Sequence, residues 1–140
     1  MTLSLSQANT IIAQALQQAS EANYKPMAVV VLDDAGHVRS VQRQDGASMF
    51  RVDIATGKAW ASLAMGASSR VLTQRAKDMP AFFGALATAG NGKFIPQTGA
   101  VLIMDGNGSV IGAVGASVGT GDEDEAICIA GVAGAGLTVG

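Results

Sequence analysis

Five charged side chains, Arg43, Asp45, Arg51, Asp53 and Lys58, fall within residues 43–58 of a chain in which only 14% of residues are charged. Such a cluster can recognise a carboxylate: Arg43 can clamp one bidentately, with Lys58 beside it as a second cation. Lys58 shares a helical face with Ile54 and Ala61, so it projects inward and needs an anionic partner from protein or ligand; Asp45 is one source. The same charges also suit a solvated loop and helix edge. With Lys58 and either Asp45 or Asp124 as acid and base, the constellation fits a cofactor-free lyase, hydratase or hydrolase acting on a small carboxylate.

Other reactive residues are sparse. His37 is the single histidine, which leaves little support for a multi-histidine metal site or a Ser-His-Asp triad. It follows an Asp-Asp-Ala-Gly turn, where it is either a plain hairpin residue or an iron ligand or proton carrier. Cys128 lies among Ala126, Ile127, Ile129 and Ala130, the setting of a buried inert thiol. Gly119-Thr120-Gly121 precedes a helix but matches neither common phosphate-binding glycine pattern. The next four residues, Asp122 to Glu125, are all acidic; they repel phosphate and suit the positive end of a helix, with Asp122 or Asp124 as cap.

These residues need elements to hold them. A Ser4-x-x-Gln7 capping box opens a first helix whose apolar face runs through Leu5, Ala8, Ile12, Ala15 and Ala19. Residues 27–32 form a buried strand, Asp33-Asp34-Ala35-Gly36 turns the chain, and 37–42 returns antiparallel. Helical spacing resumes over 51–65, with Gly57 inside that helix implying close packing there; shorter helices follow from Ser68 or Ser69 and from Pro80. Residues 93–97, with Pro96 inside, read as an irregular or edge strand. Strands over 100–104 and 110–118 flank a hairpin at Asp105-Gly106-Asn107-Gly108, and a last helix runs to about Leu137. The glycines at 112 and 115 leave space on the second of these strands for a crossing helix, a neighbouring subunit or a flat ligand. The result is a single α+β domain over 1–140, an antiparallel sheet of about five strands with helices on its faces.

Composition narrows the partners. The net charge of −2 argues against nucleic acid, and no run approaches the roughly 18 apolar residues of a membrane span. The N-terminus lacks signal-peptide features, so a cytoplasmic protein is expected. A surface this poor in charge points to self-association, since ordinary domains carry about 25% charged residues.

Several stretches together resemble the GlcG/HbpS-like haem-binding family, which includes the C-terminal domain of PduO-type proteins. They are Val31-Leu32-Asp33-Asp34-Ala35-Gly36-His37, Arg43-Gln44-Asp45-Gly46-Ala47, Lys58-Ala59 and Gly90-Asn91-Gly92 leading to Pro96. Val110-Ile111-Gly112-Ala113-Val114-Gly115-Ala116-Ser117 is the most specific part, and the stretch from Asp124-Glu125-Ala126 to Gly131 completes the likeness. The resemblance implies a profilin-like, three-layer α/β/α sandwich that assembles as a homo-oligomer, up to an octamer. It also implies haem or a related tetrapyrrole as ligand, with haem degradation or iron sensing as the associated roles. On that basis Arg43 and Lys58 pair with propionates, Phe94 and the strand around Gly115 pack the macrocycle, and His37 is the candidate iron ligand. The family's Gly-Gly-Gly-Pro loop, which borders its pocket, is replaced here by Gly90-Asn91-Gly92-Lys93-Phe94-Ile95-Pro96. A smaller anionic molecule is therefore the alternative ligand.

Overall fold

The computed structural model describes residues 2–140. One five-stranded antiparallel sheet runs β2-β1-β4-β3-β5, built from β1 (Ala28–Asp33), β2 (Val38–Arg43), β3 (Ala100–Met104), β4 (Val110–Ser117) and β5 (Thr138–Val139). Helices α1 (Leu5–Glu21) and α5 (Gly121–Gly134) cover one face, and α2 (Phe50–Met65) covers the other. Helices α3 (Ser69–Asp78) and α4 (Pro80–Ala89) form a smaller cluster at the far side of α2, around Leu72, Phe83 and Phe94. This is the three-layer α+β sandwich expected, with two helices, sheet and helix in succession.

The local rules explain most boundaries. Ser4 and Gln7 form their reciprocal cap, and α2 ends at Gly66 in the left-handed conformation. Both hairpins use one device. Asp33 Oδ1 accepts the N–H groups of Ala35 and His37, and Asp105 Oδ1 accepts those of Asn107 and Ser109. Three residues after each aspartate, Gly36 and Gly108 take positive φ of 86° and 77°, which closes the turn.

Three expectations are corrected. Residues 93–97 form no strand; the fifth strand is β5, because α5 stops at Gly134 rather than near Leu137 and the chain end pairs with β3. The backbone of Ile95 instead donates to Gly57 O at 3.3 Å, and the Ile95 side chain fills the space above Gly57. The α5 cap is Thr120, not an aspartate: its hydroxyl accepts from Glu123 N while Glu123 reaches back to Thr120 N.

Small residues set how closely the layers approach. A Cβ on Gly115 would lie 2.3 Å from Ala55 O of α2, and one on Gly131 would lie 2.5 Å from Ile11 O of α1. The space on β4 is therefore taken by the backbone of α2, which brings Lys58 against the end of that strand.

Candidate functional site

Lys58 sits on the sheet-facing side of α2 and is only 6% exposed. Its Nζ donates to Ala116 O and to Asp124 Oδ2, both at 3.1 Å. Room for the ammonium comes from Gly99, where a Cβ would stand 2.7 Å from Nζ. Asp124, 1% exposed, also accepts Gly119 N–H through Oδ1 at 2.9 Å. Burial raises its carboxyl pKa, against the opposing pull of Lys58 and of the backbone N–H bonds. The inward lysine thus has a carboxylate partner, and it is Asp124 rather than Asp45.

The acidic run divides among separate partners. Asp122 and Glu125 share Arg70, at 2.5 and 2.9 Å, Glu123 closes the α5 capping box, and Asp124 turns inward. Above the buried pair lies a cleft of about 450 Å³, lined by Arg51, Ile54, Thr98, Ser117, Thr120 and Asp122 among others. Cys128 is fully buried, with its Sγ 3.6 Å from Gly99 O, and burial pushes the thiol pKa far up.

A second concavity follows a different flank of α2. Phe50, Asp53, Thr56, Gly57 and Trp60 line a groove of about 480 Å³, closed at its sides by Gly36 and by Gly92-Lys93. The i, i+3, i+7, i+10 positions on one helix make this a continuous stripe. Phe50 is 60% exposed, and Lys93 Nζ lies 6.0 Å from the Trp60 ring centroid, within cation–π range. Beside it, β2 presents Val38 and Val41, both exposed, opposite Leu32 and Val30 on the α2 side of the sheet.

The structure does not assemble the residues expected of one site. Arg43 donates to Ala47 O at 2.5 Å and shares a shallow depression with Asp45, Tyr24 and Pro26, apart from the Lys58 cleft. Register puts Arg43 opposite Ala28 and Ala28 opposite Ser117, so two strand spacings, roughly 10 Å, separate Arg43 from the strand end near Lys58. The joint propionate clamp of Arg43 and Lys58 is therefore not formed. Phe94 is buried, 6.0 Å from Phe83 between ring centroids, and packs the α3–α4 cluster. Gly115 lies under α2, against the backbone carbonyl of Ala55. The His37 side chain is 80% exposed beside Gly36, with Nδ1 3.9 Å from Asp33 Oδ1.

Trp60 and Phe50 lie outside the set of charged residues that the sequence brings forward. Their signal was available: two large aromatics at helical spacing on the flank of α2 opposed to its small sheet-facing residues Ala55 and Ala59.

A family model described as "Haem degrading protein HbpS-like" matches residues 3–133. A Citrobacter freundii relative, the uncharacterized 15.0 kDa protein of the dhaT-dhaS intergenic region, is 32% identical over 114 residues, spanning 81% of this chain and 78% of the relative. Among solved structures, Klebsiella pneumoniae protein ORFY superposes with a TM-score of 0.87 at 26% identity, over 97% of this chain and 92% of that one. The PduOC:haem complex gives 0.87 at 24% identity, over 100% and 98%, a likeness of fold. The chain belongs to the HbpS-like family.

Proposed function

We propose that this protein binds haem or a related tetrapyrrole in the groove along α2, as a homo-oligomer. The observation that carries the reading is the groove itself. Exposed Phe50 and half-buried Trp60 give it flat apolar walls, Gly36 and Gly92 leave its sides free of side chains, and Lys93 supplies a cation for a propionate beside the carboxylate of Asp53. The residues present fit the group: Phe50 and Trp60 would stack the macrocycle, Lys93 would pair its carboxylate, and His37, beside Gly36, is the nearest imidazole. Bound haem would supply redox-active iron; the chain's own part is to shield one macrocycle face from water and fix its orientation. The HbpS-like description and the haem complex of a protein with the same fold support this choice of ligand.

Self-association extends the same reading. Val38, Val41, Met49 and Phe50 are exposed around the unpaired outer edge of β2, next to the groove, so a second copy covering them would enclose the ligand. We place the protein in the cytoplasm, which suits the free thiol of Cys128. No helix among the described residues is long and apolar enough to cross a membrane.

Haemin titration tests the function. A saturable shift of the Soret band, weakened in Trp60→Ala and Lys93→Glu, is expected; a featureless titration overturns the reading. If the haem is degraded, the Soret band of the loaded protein decays under oxygen and a reductant with release of iron. A stable band assigns the protein to binding or sensing.

A further inference from the structure

We propose that the cleft above Lys58 is a separate binding site for a small, singly charged organic carboxylate. Three donors line it, and two of them, Arg51 and Ser117, have no side-chain partner among the described residues. Arg51 lines the cleft and has no ion pair or side-chain hydrogen bond among the described residues. Lys58 carries three N–H bonds and uses two, to Ala116 O and Asp124. Ser117 is 2% exposed, lines the cleft and makes no side-chain hydrogen bond, yet no buried side-chain oxygen or nitrogen is sealed off without a partner. Its hydroxyl therefore opens into the cleft, which is the remaining route to a hydrogen-bond partner.

The charges select the class of ligand. Asp124 is spent on Lys58 and Gly119, and Asp122 pairs with Arg70 through Oδ1. Arg51 and Lys58 face Asp124 and Asp122 across the cleft, and Arg70, the partner of Asp122, is shared with Glu125, so the lining carries no net charge. A single carboxylate, paired by Arg51, adds the least negative charge there; a phosphate dianion would add a second beside the acidic first turn of α5. Arg51 offers a planar fork for the carboxylate, Ser117 and the spare Lys58 N–H suit an adjacent oxygen, and Ile54 gives an apolar wall for a short chain. Asp124 is a positioning residue, holding the Lys58 ammonium at the floor.

The test is calorimetric titration at constant ionic strength with sodium acetate, sodium lactate, sodium phosphate and sodium chloride. Saturable binding of lactate or acetate, with phosphate weaker and chloride silent, is expected. Arg51→Gln weakens it about tenfold to a hundredfold, the loss of a charge-assisted hydrogen bond, and Ser117→Ala weakens lactate more than acetate. Absence of binding by both carboxylates overturns the proposal, as does tighter phosphate binding or an unchanged Arg51→Gln affinity. The haemin titration of Arg51→Gln is expected to match the wild type, which keeps this test independent of the haem reading. Competition between lactate and haemin would merge the two sites and overturn their separation.

Discussion

Replacing Asp124 by alanine isolates the interaction on which the Lys58 end of the fold depends. The variant leaves the Lys58 ammonium buried with Ala116 O as its one acceptor and strips Gly119 N–H of its carboxylate. Removing one member of a buried pair costs about 3–5 kcal/mol, because the remaining charge keeps its desolvation penalty without compensation. At about 3 °C per kcal/mol for a domain of this size, Tm falls by roughly 10–15 °C. Lys58→Met removes the charge but keeps the stem, and it leaves Asp124 with backbone N–H bonds alone, so a loss of similar size is expected. The double variant Lys58→Met, Asp124→Leu places no ion in the interior, so it loses less than the sum of the singles, with a coupling energy of roughly 2–3 kcal/mol. Equilibrium urea unfolding followed by circular dichroism measures all four proteins. Additive single losses, or a loss below about 1 kcal/mol for Asp124→Ala, would refute the reasoning.

Other consequences are open to simple measurement. Gly115→Ala forces a Cβ to 2.3 Å from Ala55 O, so a loss of about 1–3 kcal/mol is expected in urea unfolding; an unchanged midpoint would mean α2 does not press on β4 there. Cys128 is expected to resist a thiol reagent in the native protein and to react fully once unfolded, which absorbance at the reporter's band follows. The two aspartates differ in pH response. Backbone N–H bonds from Ser109 and Asn107 lower the folded pKa of Asp105, so its contribution is present above the unfolded value near 3.9 and is lost as pH falls through the folded value; the gap between wild type and Asp105→Asn narrows in acid. Asp124 has its folded pKa raised by burial, so the folded state holds the proton more tightly and stability from this group falls as pH rises from about 3.9 through the raised value. Urea unfolding across that pH range, comparing wild type with Asp124→Asn, reads the slope.

The elements legible in the sequence were those with local causes. The Ser4 cap, the two Asp-to-Gly hairpins and the Pro80 start all follow from backbone chemistry within a few residues. So did the inward turn of Lys58, because its helical face carries Ile54 and Ala61. Its partner was less accessible: Asp45 is nearby in sequence, while Asp124 is brought in only by α5 folding back across β4. The same long-range packing removed Gly115 and Phe94 from the surface, since a glycine strand invites a helix as readily as a ligand. The strand expected over 93–97 gave way to a tether on Gly57, and β5 was too short, at two residues, to carry a periodic signal. Arg43, whose spacing suggested a clamp, spends its guanidinium on the Ala47 carbonyl of its own loop.

Hydrogen–deuterium exchange of the wild-type protein with and without haemin tests the central claim most directly. The account predicts slower exchange over residues 34–37, 50–60 and 90–95, which surround the α2 groove, with little change over 119–124 at the Lys58 cleft. Protection confined to 119–124, or no protection anywhere under saturating haemin, would contradict it.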